Sequence, residues 1–520
     1  MWFAILSLML QQGADVRLYR MIQAGTEVGR ETYRAEPRLI ERSAVVPIIN
    51  LKLDSKTVYD AAGRFSRFEA RVMNGAGDSL RGTYTLAVMN DSLVATSVFG
   101  DRTSSKTLKA RHADGVVPAQ SVSVIAEAMD RARGHDTVFQ FVPMGGDSTV
   151  AVGVRFAGDT AFVSTAGIPA YIVRSAGPRA TIEVPAQRLS AKVWDGRDSL
   201  PELVGLRRPT PDYRAPAGAP YTAQEVSIPI HCESGVDFQL TGTLTLPQGA
   251  RRPVPVVVTI SGSGRQPRDE ELWPILPDYR PFGEIADRLG RAGVGVLRYD
   301  DRGTGGSGGA ETDPTTGDYA KEVAQIVAWL RKRPDVDGAH IGLLGHSEGG
   351  AIGPLVAAED PRIASVVIMA GPAKNGRAII RDQFTRPIET ASLPAAEKAR
   401  LLANIDHDID SWSNMNKWTR WFADYDPIPI AKRLRQPVLI LQGALDRQVS
   451  AGQADTLGAV LRAAGNRDVT VRVYPHLNHL FLPTDGDGSP ADYPGLKQRT
   501  LPAEVLDTIA NWVRARLIPR

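Results

Sequence analysis

The residues with the clearest chemical potential are Gly345-His346-Ser347-Glu348-Gly349-Gly350. A serine flanked by glycines at this spacing follows the apolar run Ile341-Gly342-Leu343-Leu344 and precedes the small, apolar segment Ala351 to Ala358. Strand, G-x-S-x-G and helix together describe a turn too tight for side chains at the glycine positions, which lifts the serine hydroxyl clear of a sheet. Ser347 is thus the candidate nucleophile, and the chemistry it suggests is acyl transfer through a covalent serine intermediate. A second match, Gly305-Gly306-Ser307-Gly308-Gly309, follows the strand-like run Val294 to Tyr299 but leads into Ala310-Glu311-Thr312-Asp313-Pro314. A polar loop containing a proline cannot start a packed helix at once, so Ser307 is read as a loop serine.

A serine hydroxyl is a weak nucleophile at neutral pH and needs a base, which in turn needs an orienting acid. On a strand–elbow–helix scaffold these follow the serine in the order acid, then histidine. Of eight histidines, His407, His476 and His479 lie in the later part of the chain. His407 belongs to the polar segment Asn404-Ile405-Asp406-His407-Asp408, whereas Tyr474-Pro475-His476-Leu477-Asn478-His479-Leu480-Phe481 is a loop after a strand. Leu480 and Phe481 can anchor the ring of His479, which favours it over His476, and His346 is expected to pack beneath the elbow. The acid is expected after the preceding strand, where Val438-Leu439-Ile440-Leu441-Gln442-Gly443-Ala444-Leu445-Asp446 offers Asp446; Asp485 and Asp487 come after the histidine. Two donors must meet the oxyanion. One is the backbone N–H of Glu348. The other is assigned to Ser263 N–H in Ser261-Gly262-Ser263-Gly264, with another amide of that loop as the alternative.

The elements that must position these groups can be read from the same sequence. From Thr222 onward strands alternate with helices, which implies a mostly parallel sheet. Expected strands are Thr222–Ile230, Phe238–Leu246, Val254–Ile260, Val294–Arg298, His340–Leu344, Ile363–Met369, Pro437–Leu441 and Val469–Tyr474. Expected helices are Phe282–Ala292, Asp318–Arg331, Ala451–Ala464 and Pro502–Arg516. An excursion at about 372–435, with Trp412, Trp418, Trp421 and Phe422, reads as a small helical cap lining an acyl pocket. Ahead of this, 16–200 reads as a β-rich domain, a curved antiparallel sheet or partial barrel. Its strands are punctuated by Asn90-Asp91, Gly100-Asp101, Gly145-Gly146-Asp147 and Ala157-Gly158-Asp159, with one helical segment near Ser121 to Arg133. The Pro-rich stretch 201–221 reads as a linker and 222–520 as the chemical domain.

Bulk properties narrow the field. A chain of 520 residues exceeds one core, and 43% hydrophobic with 23% charged residues describes an ordinary globular protein. A net charge of +3 without a basic stripe argues against nucleic acid as a partner. The single cysteine, Cys232, rules out an internal disulfide and is read as a structural residue of a strand; no metal site or cofactor is indicated. The apolar start within 1–14 resembles a secretory signal and suggests export to the periplasm or beyond, although no Lys or Arg precedes it. No other stretch is long and apolar enough to span a bilayer.

Five blocks occur in order: Ser261-Gly262-Ser263-Gly264, Arg268-Asp269-Glu270, Arg298-Tyr299-Asp300-Asp301-Arg302-Gly303, the Ser347 hexapeptide, and Leu477-Asn478-His479-Leu480-Phe481. Together they resemble the bacterial α/β-hydrolase family of carboxylesterases related to the dienelactone hydrolase and acyl-aminoacyl-peptidase branches, from roughly Thr222 to the C-terminus. The resemblance implies a Ser347–Asp446–His479 triad hydrolysing small acyl esters without a cofactor. One departure is Arg265-Gln266-Pro267, where the family usually has Pro-x-Asp. A serine peptidase of the prolyl-oligopeptidase type and a thioesterase are the alternative activities. The alternative outside enzymes is a binding protein on a hydrolase scaffold, which predicts a broken triad.

Overall fold

The computed structural model describes residues 15–518 except 24–25, 47–50, 75–78, 100–101, 110–111, 118–121, 145–148, 158–159, 166–167, 175–180, 185–188, 195–210, 233–234, 236, 250–252, 273–274, 310–313, 391–394 and 415. The signal-like start, the first ten residues of the expected linker and three of the four expected hairpin turns fall wholly or partly outside the described residues. There are two compact units, one reaching to Arg208 and including Phe384–Met415, the other made of Pro209–Gln383 and Asn416–Arg520. The helical excursion is therefore divided between them.

The first unit holds a sheet of fifteen strands among the described residues. Its first eight strands, from Asp15 to Thr107, pair antiparallel with their chain neighbours. The first strand also pairs with Leu189–Val193, and the sheet then returns as far as Gly115–Val117, which lies parallel to Thr137–Pro143. Alternation drives this arrangement: Leu39–Val46 is buried at every second residue, which leaves one face for the core and one for water. Asn90 and Asp91 form a two-residue hairpin with φ of 48° and 59°, between paired Met89 and Ser92, matching the strand twist as a primed turn does. One helix, Ser123–Ala132, is buried at eight of its ten residues. Its N-terminus is capped from a distance by Glu31, whose Oε2 accepts from Val122 N (2.8 Å) and Ser123 N (3.0 Å). Its Glu127 pairs with Arg42, each side chain 1% exposed, and accepts from Tyr59. Buried charge is tolerated there because every partner is itself bonded.

The second unit is a twisted eight-stranded sheet. Its strands are β1 (Tyr221–Ile230), β2 (Phe238–Pro247), β3 (Val254–Ile260), β4 (Gly295–Tyr299), β5 (Val336–His346), β6 (Ser365–Met369), β7 (Val438–Gly443) and β8 (Val469–Tyr474). They lie in the order β1-β2-β4-β3-β5-β6-β7-β8, antiparallel from β1 to β4 and parallel from β4 to β8. All seven residues of β3 are buried, because helices cover both faces. Val256, Val258 and Ile260 enter one core with Ile341, Leu343, Val366 and Ile440. Val257 enters the other with Leu344, Val367, Met369 and Leu439. The helices after β1 among the described residues are α1 (Pro281–Arg291), α2 (Thr316–Leu330), α3 (Gly349–Glu359), α4 (Gly376–Thr390), α5 (Ala395–Ala403), α6 (Ile405–Ser413), α7 (Lys417–Asp424), α8 (Pro427–Ala431), α9 (Gly452–Ala463) and α10 (Ala503–Leu517), of which α5 and α6 belong to the first unit. Helix α2 starts two residues before the sequence reading placed it, because Thr315 and Asp318 form a reciprocal capping box. Cys232 lies just past the end of β1, in the loop and not in the strand as expected. The order in which strands are added reverses at β3, which lies between β4 and β5, and ligands of such sheets bind beyond the carboxyl ends of strands at that switch. No helix among the described residues is long and apolar enough to cross a membrane.

Candidate active site

Ser347 stands between β5 and α3 with φ of 55°, a region that L-residues enter only under local constraint. The constraint comes from its neighbours. A Cβ on Gly345 would collide with the Gly349 carbonyl, and one on Gly349 with the Ile260 carbonyl, so neither glycine can be replaced without moving backbone. The Ser347 amide donates to Met369 O on β6 at 2.9 Å, tying the turn to the sheet. Ser307 differs in each respect. Its Oγ donates to Asp300 O (2.7 Å) and accepts from Thr241 N (2.9 Å), and the described residues directly after it, Gly308 and Gly309, are not helical, so its hydroxyl is spent on holding a loop.

Asp446 follows β7 and His479 follows β8, so adjacent strands deliver both to one edge of the sheet. His479 Nδ1 lies 2.7 Å from Asp446 Oδ2, with both side chains at most 4% exposed. The Asp446 carboxylate is fully engaged: Oδ1 accepts from Gln448 N (2.8 Å) and Val449 N (2.9 Å), and Oδ2 also accepts from Gln442 Nε2 (2.8 Å). Four donors around the carboxylate fix its plane. An ionised Asp446 requires Nδ1 of His479 to carry a proton, which leaves Nε2 as the acceptor. Asn478 shapes the loop by accepting, through Oδ1, from Leu480 N (2.9 Å) and Leu482 N (3.1 Å). Phe481, fully buried, packs edge-on to the His346 ring at 6.2 Å. His476 is exposed, with no bond to the acid.

The loop after β3 passes directly over the elbow, since a Cβ on Gly262 would lie 3.2 Å from that of Ser347. Two of its amides are engaged: Gly262 N donates to Glu270 Oε1 (2.7 Å) and Gln266 N to Asp301 Oδ2 (2.9 Å). Ser263 N and Glu348 N make no hydrogen bond to described residues, and Glu348 is the N-cap of α3, at the helix end where amides lack partners within the helix. Asp301 also accepts from Ser261 Oγ (2.7 Å), so one carboxylate grips both ends of the loop. Burial, with Glu270 and Glu348 nearby, pushes the Asp301 carboxyl up to about 7. Arg268 pairs with Asp300 at 2.8 Å and Arg298 with Asp269, joining the charged blocks that follow β3 and β4.

Three groups were not given roles by sequence reasoning. Glu348 is buried and its Oε1 accepts from Thr316 Oγ1 (2.6 Å) and Trp418 Nε1 (2.8 Å), so a cap tryptophan touches the residue after the nucleophile. Glu270 and His346 form a buried pair, Oε1 to Nδ1 at 2.9 Å. The available signal was the run of charged residues directly after apolar strands, where the fold leaves little water.

The family model described as serine aminopeptidase, S33 (Hydrolase_4) matches residues 278–427. Esterase EstD of Thermotoga maritima is 30% identical over 293 residues, 53% of this chain and 65% of that protein. Dipeptidyl aminopeptidase BIII of Pseudoxanthomonas mexicana is 24% identical over 267 residues, 49% of this chain and 35% of that protein. The chain thus spans less than two thirds of the length of either relative. Among solved structures, an esterase of Pyrococcus furiosus, Pf2001, is similar at 17% identity over 57% of this chain and 92% of its own, with a TM-score of 0.39. Est1E of Butyrivibrio proteoclasticus is similar at 17% identity over 56% and 99%, with a TM-score of 0.37. The strand order β1-β2-β4-β3-β5-β6-β7-β8, with the elbow after β5, is that of the α/β-hydrolase fold, and an antiparallel β-sheet domain precedes it in the chain.

Proposed function

We propose that the protein hydrolyses carboxylic esters of small molecules through an acyl-enzyme. Ser347 Oγ attacks the ester carbonyl carbon while His479 Nε2 takes its proton, and Asp446 holds the imidazolium that results. The amides of Glu348 and Ser263 receive the oxyanion. Collapse breaks the C–O bond to the alcohol, which leaves with the proton from His479. Water, deprotonated by His479, then attacks the acyl-enzyme, releasing the carboxylic acid and restoring Ser347.

The observation that carries this reading is the 2.7 Å contact between buried His479 and Asp446 at the ends of adjacent strands, on the same sheet edge as a serine held at positive φ. A binding protein on this scaffold would have no need of that constellation. The ester reading rests further on the likeness to EstD, and the peptidase reading on the likeness to the dipeptidyl aminopeptidase. A panel of p-nitrophenyl acyl esters run beside aminoacyl-p-nitroanilides separates them. Ester turnover that is abolished in Ser347→Ala, with no anilide cleavage, is the expected result; anilide cleavage at comparable kcat/KM would favour the peptidase.

A further inference from the structure

Glu270 and His346 connect three segments that the proposed reaction needs in register. Glu270 Oε1 accepts from Gly262 N (2.7 Å) in the loop above the elbow and meets His346 Nδ1 (2.9 Å) within the elbow. His346 Nε2 lies 2.9 Å from the carbonyl oxygen of His479. Both side chains are buried, at 3% and 6% exposure, and the two imidazole rings are 4.9 Å apart. A backbone carbonyl can only accept, so Nε2 of His346 carries a proton. Nδ1 faces the same Glu270 oxygen that accepts from Gly262 N, so Nδ1 donates as well. The ring is then an imidazolium, buried next to the carboxylate that compensates it.

We propose that Glu270 and His346 are positioning residues: a buried ion pair, parallel to the Asp446–His479 couple, that sets the spacing between the oxyanion loop, the nucleophile elbow and the loop of the base. The proposal rests on the triad reading above. Each end of the strut is a single hydrogen bond to backbone, so its loss shifts the loops without unmaking them. Burial alone would lower the His346 pKa, but the charge of Glu270 and its hydrogen bond outweigh that and hold it above the ordinary range. The other titratable groups facing the pair are Asp446, which also favours the cation, Asp301, which feels the charge of Glu270, the His479 ring, and the phenol of Tyr279, which donates to Leu480 O at 3.0 Å.

Glu270→Gln keeps the shape and the acceptor for Gly262 but cannot stabilise an imidazolium. A neutral His346 then loses the proton from one ring nitrogen and one end of the strut opens. The expected result with a p-nitrophenyl ester is a kcat lowered about 10- to 100-fold, as misplacement of reacting groups by a fraction of an ångström does, with KM within about threefold. His346→Gln should do the same, and the double variant should be no worse than either single one, because the two act as one unit. A folded Glu270→Gln with kcat within twofold of wild type, or losses that multiply in the double variant, overturns the proposal. If a variant fails to fold, histidine-¹⁵N spectra of the wild-type protein decide: one of the eight rings should titrate above the ordinary histidine range, and finding none raised overturns it. Retained turnover in Ser347→Ala would instead sink the triad reading, whereas a dead Ser347→Ala beside an unaffected Glu270→Gln removes this inference alone.

Discussion

Replacing Asp446 by asparagine tests whether this side chain orients a base or merely caps a turn. The carboxylate accepts four N–H donors, from His479, Gln448, Val449 and Gln442. An amide has one oxygen, which serves two of them. If the amide nitrogen faces Gln448 N and Val449 N, two buried backbone donors lose their acceptor, at about 1–3 kcal/mol each. If it faces His479, that histidine must place its proton on Nε2, the wrong tautomer for accepting one from Ser347. Either orientation costs stability, about 2–6 kcal/mol for the first. Only the orienting role costs rate, for which a loss of about 10⁴ in kcat is the expected size, or about 5 kcal/mol of transition-state stabilisation. Initial rates on a p-nitrophenyl ester, measured beside a thermal melt, separate the two effects. A variant that melts lower but keeps more than a tenth of wild-type kcat would refute the orienting role.

Three further outcomes are expected. Ser307→Ala should lower stability by about 1–3 kcal/mol, because Thr241 N loses its acceptor, yet leave ester turnover within twofold; lost turnover would mean that the wrong serine has been chosen. Gly349→Ala should destabilise by about 3 kcal/mol or more and abolish turnover, since its Cβ meets the Ile260 carbonyl; a wild-type melt would contradict the elbow packing. Asp301, at about 7 in the folded protein against an ordinary 3.8, holds a proton that the unfolded chain has already released, so its contribution is full below about pH 4 and is lost as pH rises through 7. Asp301→Asn removes that dependence, and its stability relative to wild type should rise by about 2 kcal/mol from pH 5 to pH 8; denaturant titrations showing no such change would contradict it.

Much of the second unit was legible because its signals are local. Val254–Ile260 and Val469–Tyr474 match the expected strands residue for residue. The first is buried at every residue and announces itself by composition, whereas the second is an edge strand in which Tyr474 alone is buried. Asp446 and His479 were found because fold order restricts the acid and base to the ends of the last two strands. The Glu270–His346 pair was not found, because 76 residues separate the partners and only the reversal of strand order brings them together. In the first unit, the helix and the strands around Phe68 and Thr83 were visible, but the pairing of Asp15–Gln23 with Leu189–Val193 was not. Alternating polarity fixes which face of a strand is buried, not which strand lies beside it. The capping of the Ser123 helix by Glu31, 92 residues away, was hidden for the same reason.

The central claim is that Ser347 is the nucleophile. Its most direct test is labelling of the intact protein with a fluorophosphonate, followed by mass mapping of the modified peptide. The expected result is a single adduct on Ser347, absent from Ser347→Ala and unchanged in Ser307→Ala. An adduct on Ser307, or no adduct on a folded protein that still turns over esters, would contradict the account.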